Sequence, residues 1–173
     1  MNKMTKEELQ KILFIEQTRV FTVLDGASVP KLPMRLYEMR PPNYCLLRGE
    51  LAPDIAEVAP YLITLAPNNP FTDWVLEESF GKHWGIFIHS PYSILEMRRH
   101  FRALFTVYNE EGNPMYFRFY DPRVLQTFLP TCNGGELKSF FGKADTFFSE
   151  DDKGQNLLSF KLENNELKQA ELK

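Results

Sequence analysis

An α/β domain with a single mixed sheet flanked by helices is the fold this sequence predicts, on three observations. Short apolar runs rich in β-branched and aromatic residues alternate with stretches of helical apolar spacing, and nothing repeats. Several connections between the runs are too short to hold a crossover helix, so some strand pairs must be antiparallel. The chain has 173 residues, 43% hydrophobic and 14% aromatic with 15 Phe, enough for one aromatic-rich core and contrary to disorder.

The elements follow in order. Thr5-Lys6-Glu7-Glu8 opens a short helix through Leu9, Ile12 and Leu13. Arg19 to Leu24 is a strand, closed by the turn Asp25-Gly26. Pro30 to Pro42 holds a short helix between prolines, with Leu36 and Met39 inward. Tyr44–Leu47 and Tyr61–Leu65 are short strands. Asp73 to Leu76 lies in a helix that Gly81 ends. Trp84 to His89 is continuously apolar, which predicts a central strand. The best helix follows it. Ser90 is the expected cap, with Pro91 in the first turn and Glu96 near the start. Ile94, Met97, Phe101, Leu104 and Phe105 form its apolar face, and Arg98, Arg99 and Arg102 lie elsewhere on its surface.

Asn109 to Pro114 is a turn leading into a strand over Met115–Tyr120. Tyr116, Arg118 and Tyr120 alternate there with Phe117 and Phe119, so one face carries an arginine between two tyrosines. Asp121 suits the cap of the next helix and Pro122 its first position. Helices over Arg123–Leu129 and Glu136–Phe141 are separated by Asn133-Gly134-Gly135. Lys143–Phe148 and Leu157–Leu162 pair as late strands around a solvated Glu150–Gly154 turn, and one of Phe147 and Phe148 is expected to look outward. Glu163 to Lys173 reads as a frayed helix or polar tail.

Several function classes are disfavoured. The formal net charge is −3 and the pI about 5.7, against the basic excess of a protein that lives on phosphate contacts. No run is long and apolar enough for a membrane span, and Met1–Gln10 shows no signal peptide. Cys45 and Cys132 make no disulfide framework and suit small buried hydrophobes of a reducing cytoplasm. Of the three histidines, His83 and His89 flank one strand, roughly 20 Å apart at strand rise, and share no metal. No nucleophile elbow, phosphate loop or dinucleotide fingerprint is present. Asp25 and Asp121 end strands, where the plain reading is a turn or helix cap. The catalytic alternative is a small hydrolase-like enzyme using Asp25 or Asp121 with a histidine. Arg118 suits an internal ion pair with Asp121 or another acid, with stacking on tyrosine.

The wording of Arg118-Phe119-Tyr120-Asp121-Pro122-Arg123-Val124-Leu125 resembles the signature of the effector-adaptor (chaperone) domain of bacterial type VI secretion systems, long filed as a domain of unknown function. Other pieces occur in the family's order: Thr22–Ala27, Val58–Leu65, Trp84–Ser90, His100–Val107 and Leu137–Gly142, where Lys143 replaces a proline. The resemblance implies an adaptor domain over 1–150, with 151–173 adding a C-terminal strand and polar tail. It implies a cytoplasmic, non-catalytic protein with no cofactor, which binds a cognate effector and helps load it onto the VgrG spike. It fixes no oligomeric state. Arg118, Tyr120, Asp121, Pro122 and Arg123 are expected to hold the strand-to-helix corner. Arg98 and Arg102 are expected to form a rim for an acidic partner patch, and an exposed apolar groove is the geometry an adaptor needs.

Overall fold

The computed structural model describes residues 3–173. The elements are α1 (Lys6–Leu13), β1 (Arg19–Asp25), α2 (Leu32–Met39), β2 (Asn43–Cys45), α3 (Pro53–Val58), β3 (Pro60–Leu65), α4 (Pro70–Glu78) and β4 (Gly85–Ser90). Then come α5 (Ile94–Phe105), β5 (Thr106–Tyr108), β6 (Pro114–Tyr116), α6 (Pro122–Phe128), α7 (Gly134–Phe141), β7 (Thr146–Glu150), β8 (Leu157–Glu163) and β9 (Glu166–Leu172). Seven strands form one sheet in the order β2-β3-β1-β4-β7-β8-β9, so the apolar Gly85–Ser90 strand sits at its middle. β5 and β6 form a separate hairpin.

The α/β class expected from the sequence is what the fold shows. Within the sheet, however, every pairing is antiparallel. The reason is where the crossovers land. β3 and β4 run the same way and are joined through α4, but β1 lies between them, antiparallel to both. Gly85 permits that central pairing: a Cβ there would stand 1.9 Å from the Val23 carbonyl oxygen.

Strand alternation divides the core in two. Val20 and Leu24 face one layer with Leu9 and Leu13 of α1, Leu32 and Leu36 of α2, and Phe71 and Val75 of α4. Phe21 and Val23 face the other with Met97 and Phe101 of α5, Leu125 of α6 and Phe140 of α7. Because helices cover both faces, Phe147 and Phe148 are both buried, and neither looks outward. A fully enclosed ring such as Phe101 stabilises by about 1.5–3 kcal/mol.

Four local expectations change. Ser93 and not Ser90 caps α5, in a capping box with Glu96. Ser90 is captured elsewhere: its hydroxyl donates to the Lys143 carbonyl at 2.6 Å. The Met115–Tyr120 strand stops at Tyr116. Beyond it, the Phe119 N–H bonds the Phe117 carbonyl and the Asp121 N–H bonds that of Arg118, which curls the chain and buries Phe119 and Tyr120 together. Glu163–Lys173 is neither helix nor tail. Asn164 and Asn165 both adopt positive φ (52° and 61°), the hairpin geometry that returns β9 along β8. Finally, Glu150 is no solvated turn residue but a buried carboxylate at the end of β7.

Candidate functional site

The signature corner is held by two ion pairs. Asp25 ends β1 with its side chain only 4% exposed, accepting from the Ala27 N–H (3.0 Å) and the Ser28 hydroxyl (3.1 Å). Its third partner is Arg118, which donates through Nη2 while remaining half exposed. Arg118 thus pairs with Asp25 rather than Asp121. Burial disfavours the guanidinium charge, but the Asp25 carboxylate outweighs it and raises the Arg118 pKa. Tyr120 packs inside the corner, its hydroxyl pushed up to about 12 by burial and then by the Asp25 charge.

Asp121 performs the cap its sequence position suggested. It accepts from the Arg123 N–H at 2.9 Å, ahead of Pro122 in the first turn of α6, and from the Arg123 guanidinium at 3.0 and 2.8 Å. Burial works to raise the Asp121 carboxyl. The Arg123 hydrogen bonds and the charges of Arg123 and Arg118 overcome it and hold the group below its ordinary value.

The histidines serve the frame. His89 Nε2–H donates to the Leu13 carbonyl and His100 Nε2–H to that of Phe140, both at 2.7 Å, and burial lowers both pKa values. His83 Nδ1 lies 2.5 Å from Glu150, which also accepts from the His83 and Gly81 backbone N–H groups. Burial raises the Glu150 carboxyl despite these donors. Asp25 and Asp121 have no histidine among their partners, and no three metal-binding side chains converge among the described residues. Cys45 and Cys132 are free thiols, each half-buried.

One concavity is markedly apolar. A cleft of about 750 Å³ opens between the C-terminal end of α5, α6 and the start of α7, lined by Leu104, Val107, Phe117, Phe128 and Phe140. Phe117 packs edge-on against Phe128 (4.6 Å between centroids), and Phe128 lies 5.6 Å from Phe140, so the wall is a continuous aromatic surface. A second hollow, of about 600 Å³, shares Phe117 and Phe128 and reaches Arg123. The β5–β6 hairpin beside the cleft exposes Tyr108, Met115 and Tyr116. No single stretch of sequence signals this site, because Phe117, Phe128 and Phe140 come from three segments.

Arg98 and Arg102, both partly exposed, are engaged by their own chain. The Arg98 guanidinium lies over the Tyr44 ring at 4.4 Å, and Arg102 Nη2 donates to the carbonyls of Cys45 (2.8 Å) and Leu47 (3.4 Å). Both tie α5 to the short edge strand β2.

The molecule is therefore an α/β domain with helices on both faces of an antiparallel sheet, which carries an open aromatic cleft and whose residues 118–123 brace a corner. The chain belongs to a family described as a domain of unknown function, DUF4123, whose model matches residues 20–139. The match ends before β7, β8 and β9, which complete the sheet. No curated protein and no solved structure matches the chain. No helix among the described residues is long and apolar enough to cross a membrane.

Proposed function

We propose that this chain is a type VI secretion adaptor. It binds a cognate effector in the bacterial cytoplasm and helps load it onto the VgrG spike, without a chemical step of its own. The aromatic cleft carries the reading. An open cleft walled by contiguous aromatic rings suits protein binding, and covering an aggregation-prone effector segment is what an adaptor must do. The signature shared with the adaptor domain supports the same conclusion. In this reading the signature acts indirectly. The Asp25–Arg118 and Asp121–Arg123 pairs set the path of residues 117–123, which places Phe117 in the cleft wall. The hydrolase-like alternative needs an unengaged Asp25 or Asp121 facing a histidine. Both carboxylates are instead engaged by N–H groups, a hydroxyl or arginine.

The test is affinity capture from the native bacterium with partners identified by mass spectrometry. The adaptor reading expects a VgrG-type spike and one toxin-like protein. Val107→Glu, at a half-exposed cleft position, is expected to abolish recovery of the toxin while leaving the fold intact. Recovery of neither partner by the unaltered chain overturns the reading.

A further inference from the structure

Across the β5–β6 hairpin from the aromatic cleft lies a smaller hollow of different character. It encloses about 220 Å³ between the loop after β2, α3 and the end of α5. Leu47, Leu51, Ile55 and Phe105 make its surface apolar, and Arg48 and Arg102 stand in its wall. Tyr116 closes one side, stacked on Phe105 with centroids 4.8 Å apart and planes 14° apart.

Both charged side chains that line the hollow are arginines. Among the described residues, no carboxylate makes an ion pair with Arg48, Arg98 or Arg102. The three are close enough to act on one another: after burial, the charges of Arg98 and Arg48 are the next causes that lower the Arg102 pKa. Among the described residues, the enclosed Nε groups of Arg98 and Arg102 have no hydrogen-bond partner. Arg102 is positioned by its Nη2, which donates to two backbone carbonyls. A cluster of like charge beside a small apolar hollow is complementary to one kind of group, an anion carried next to an apolar side chain.

We propose that this hollow takes a short acidic segment of a partner protein, seating an aliphatic or aromatic side chain on Leu47, Leu51 and Phe105 and setting a neighbouring Asp or Glu against Arg48 and Arg102. That the partner is a component of secretion rests on the adaptor reading; the acidic segment the site fits follows from its own chemistry. A peptide fits better than a nucleic acid. The chain carries 23 acidic against 20 basic residues, and the cluster is local rather than a stripe that tracks a phosphate backbone.

The test pans the full chain against a random dodecapeptide display library and measures recovered peptides by fluorescence anisotropy. Peptides pairing Asp or Glu with a nearby aliphatic or aromatic residue are expected, with affinity that falls as salt rises. Arg48→Glu should weaken them roughly tenfold or more, Arg48→Lys should retain most binding, and the same charge reversal at exposed Lys138 on α7, Lys138→Glu, should change nothing. No enrichment, enrichment without acids, or unchanged affinity in Arg48→Glu overturns the proposal. So does tighter binding of labelled oligothymidylate, or occupation of the hollow by a second copy, seen as Arg48-dependent self-association in sedimentation. Because no effector or spike is present, failure here is distinct from failure to capture those proteins from the bacterium.

Discussion

Arg118 and Arg123 each meet a carboxylate, whereas Arg48, Arg98 and Arg102 meet none among the described residues. The first pair sits in the corner that carries the family signature. The second group sits on α5 and the loop after β2, outside residues 118–125. The contrast teaches that an arginine's role follows from what it faces. In the corner, guanidinium groups neutralise carboxylates that burial would otherwise penalise, so they belong to the folded frame. Beside β2 the guanidinium groups face carbonyls, a tyrosine ring and one another, so their charge remains uncompensated.

The largest way to break this contrast is at Asp25. Asp25→Ala removes the acceptor for two turn donors and leaves Arg118 unpaired. A loss of about 3 kcal/mol in urea unfolding is expected. Arg118→Ala should cost less, about 1–2 kcal/mol, because Asp25 keeps Ala27 and Ser28 and the guanidinium is half exposed. The double variant should show coupling of about 1 kcal/mol. Purely additive losses would mean the pair contributes no stability and the corner is held by packing alone.

Acid sharpens the contrast next. Asp121 is held below its ordinary pKa, and Glu96 is lowered to about 2 by the Ser93 backbone N–H, then Lys143 and the Ser93 hydroxyl. A carboxylate depressed in the folded state stabilises fully above its unfolded pKa, and the gain disappears as pH falls through the folded value. Stability from these groups should therefore decline from about pH 4.5 toward pH 2. Arg123→Ala should lessen the decline, since Asp121 then titrates nearer its ordinary range. Asp121→Ala should cost about 1 kcal/mol at neutral pH through the lost cap and little at pH 2. An unchanged acid limb in Arg123→Ala would show that the arginine does not set the Asp121 charge.

What the sequence discloses divides along the same line. Local features were legible: the Gly85–Ser90 strand from its apolar content, the α5 face from its spacing, and the Asp121–Pro122 helix start from cap chemistry. Nonlocal ones were not. Arg118 and Asp25 are 93 positions apart, so only the fold could choose Asp25 over the adjacent Asp121. Ser90 and Ser93 both suit a cap, and the choice was made by the Lys143 carbonyl, 53 positions away. The charged Glu166–Leu172 segment suits a helix by composition; the signal against it was Asn164-Asn165, a turn pair that accepts positive φ. Charge on an edge strand is itself the protection against further pairing that such strands need. The aromatic cleft escaped because its walls come from α5, α6, α7 and the bend at Phe117.

The smallest expected effect is the sharpest, because its sign differs. Arg48 is exposed and makes no hydrogen bond or ion pair among the described residues. Its charge repels that of Arg102 and, after burial and the charge of Arg98, helps lower the Arg102 pKa. Arg48→Gln should therefore leave the fold slightly more stable, by a few tenths of a kcal/mol at low ionic strength. The gain should vanish in high salt, as screening removes the repulsion. Every charge removed from the corner should lower stability, while removal of this one should raise it. A loss of stability in Arg48→Gln would place Arg48 with the paired arginines and remove the electrostatic reason for an anion-binding hollow beside β2.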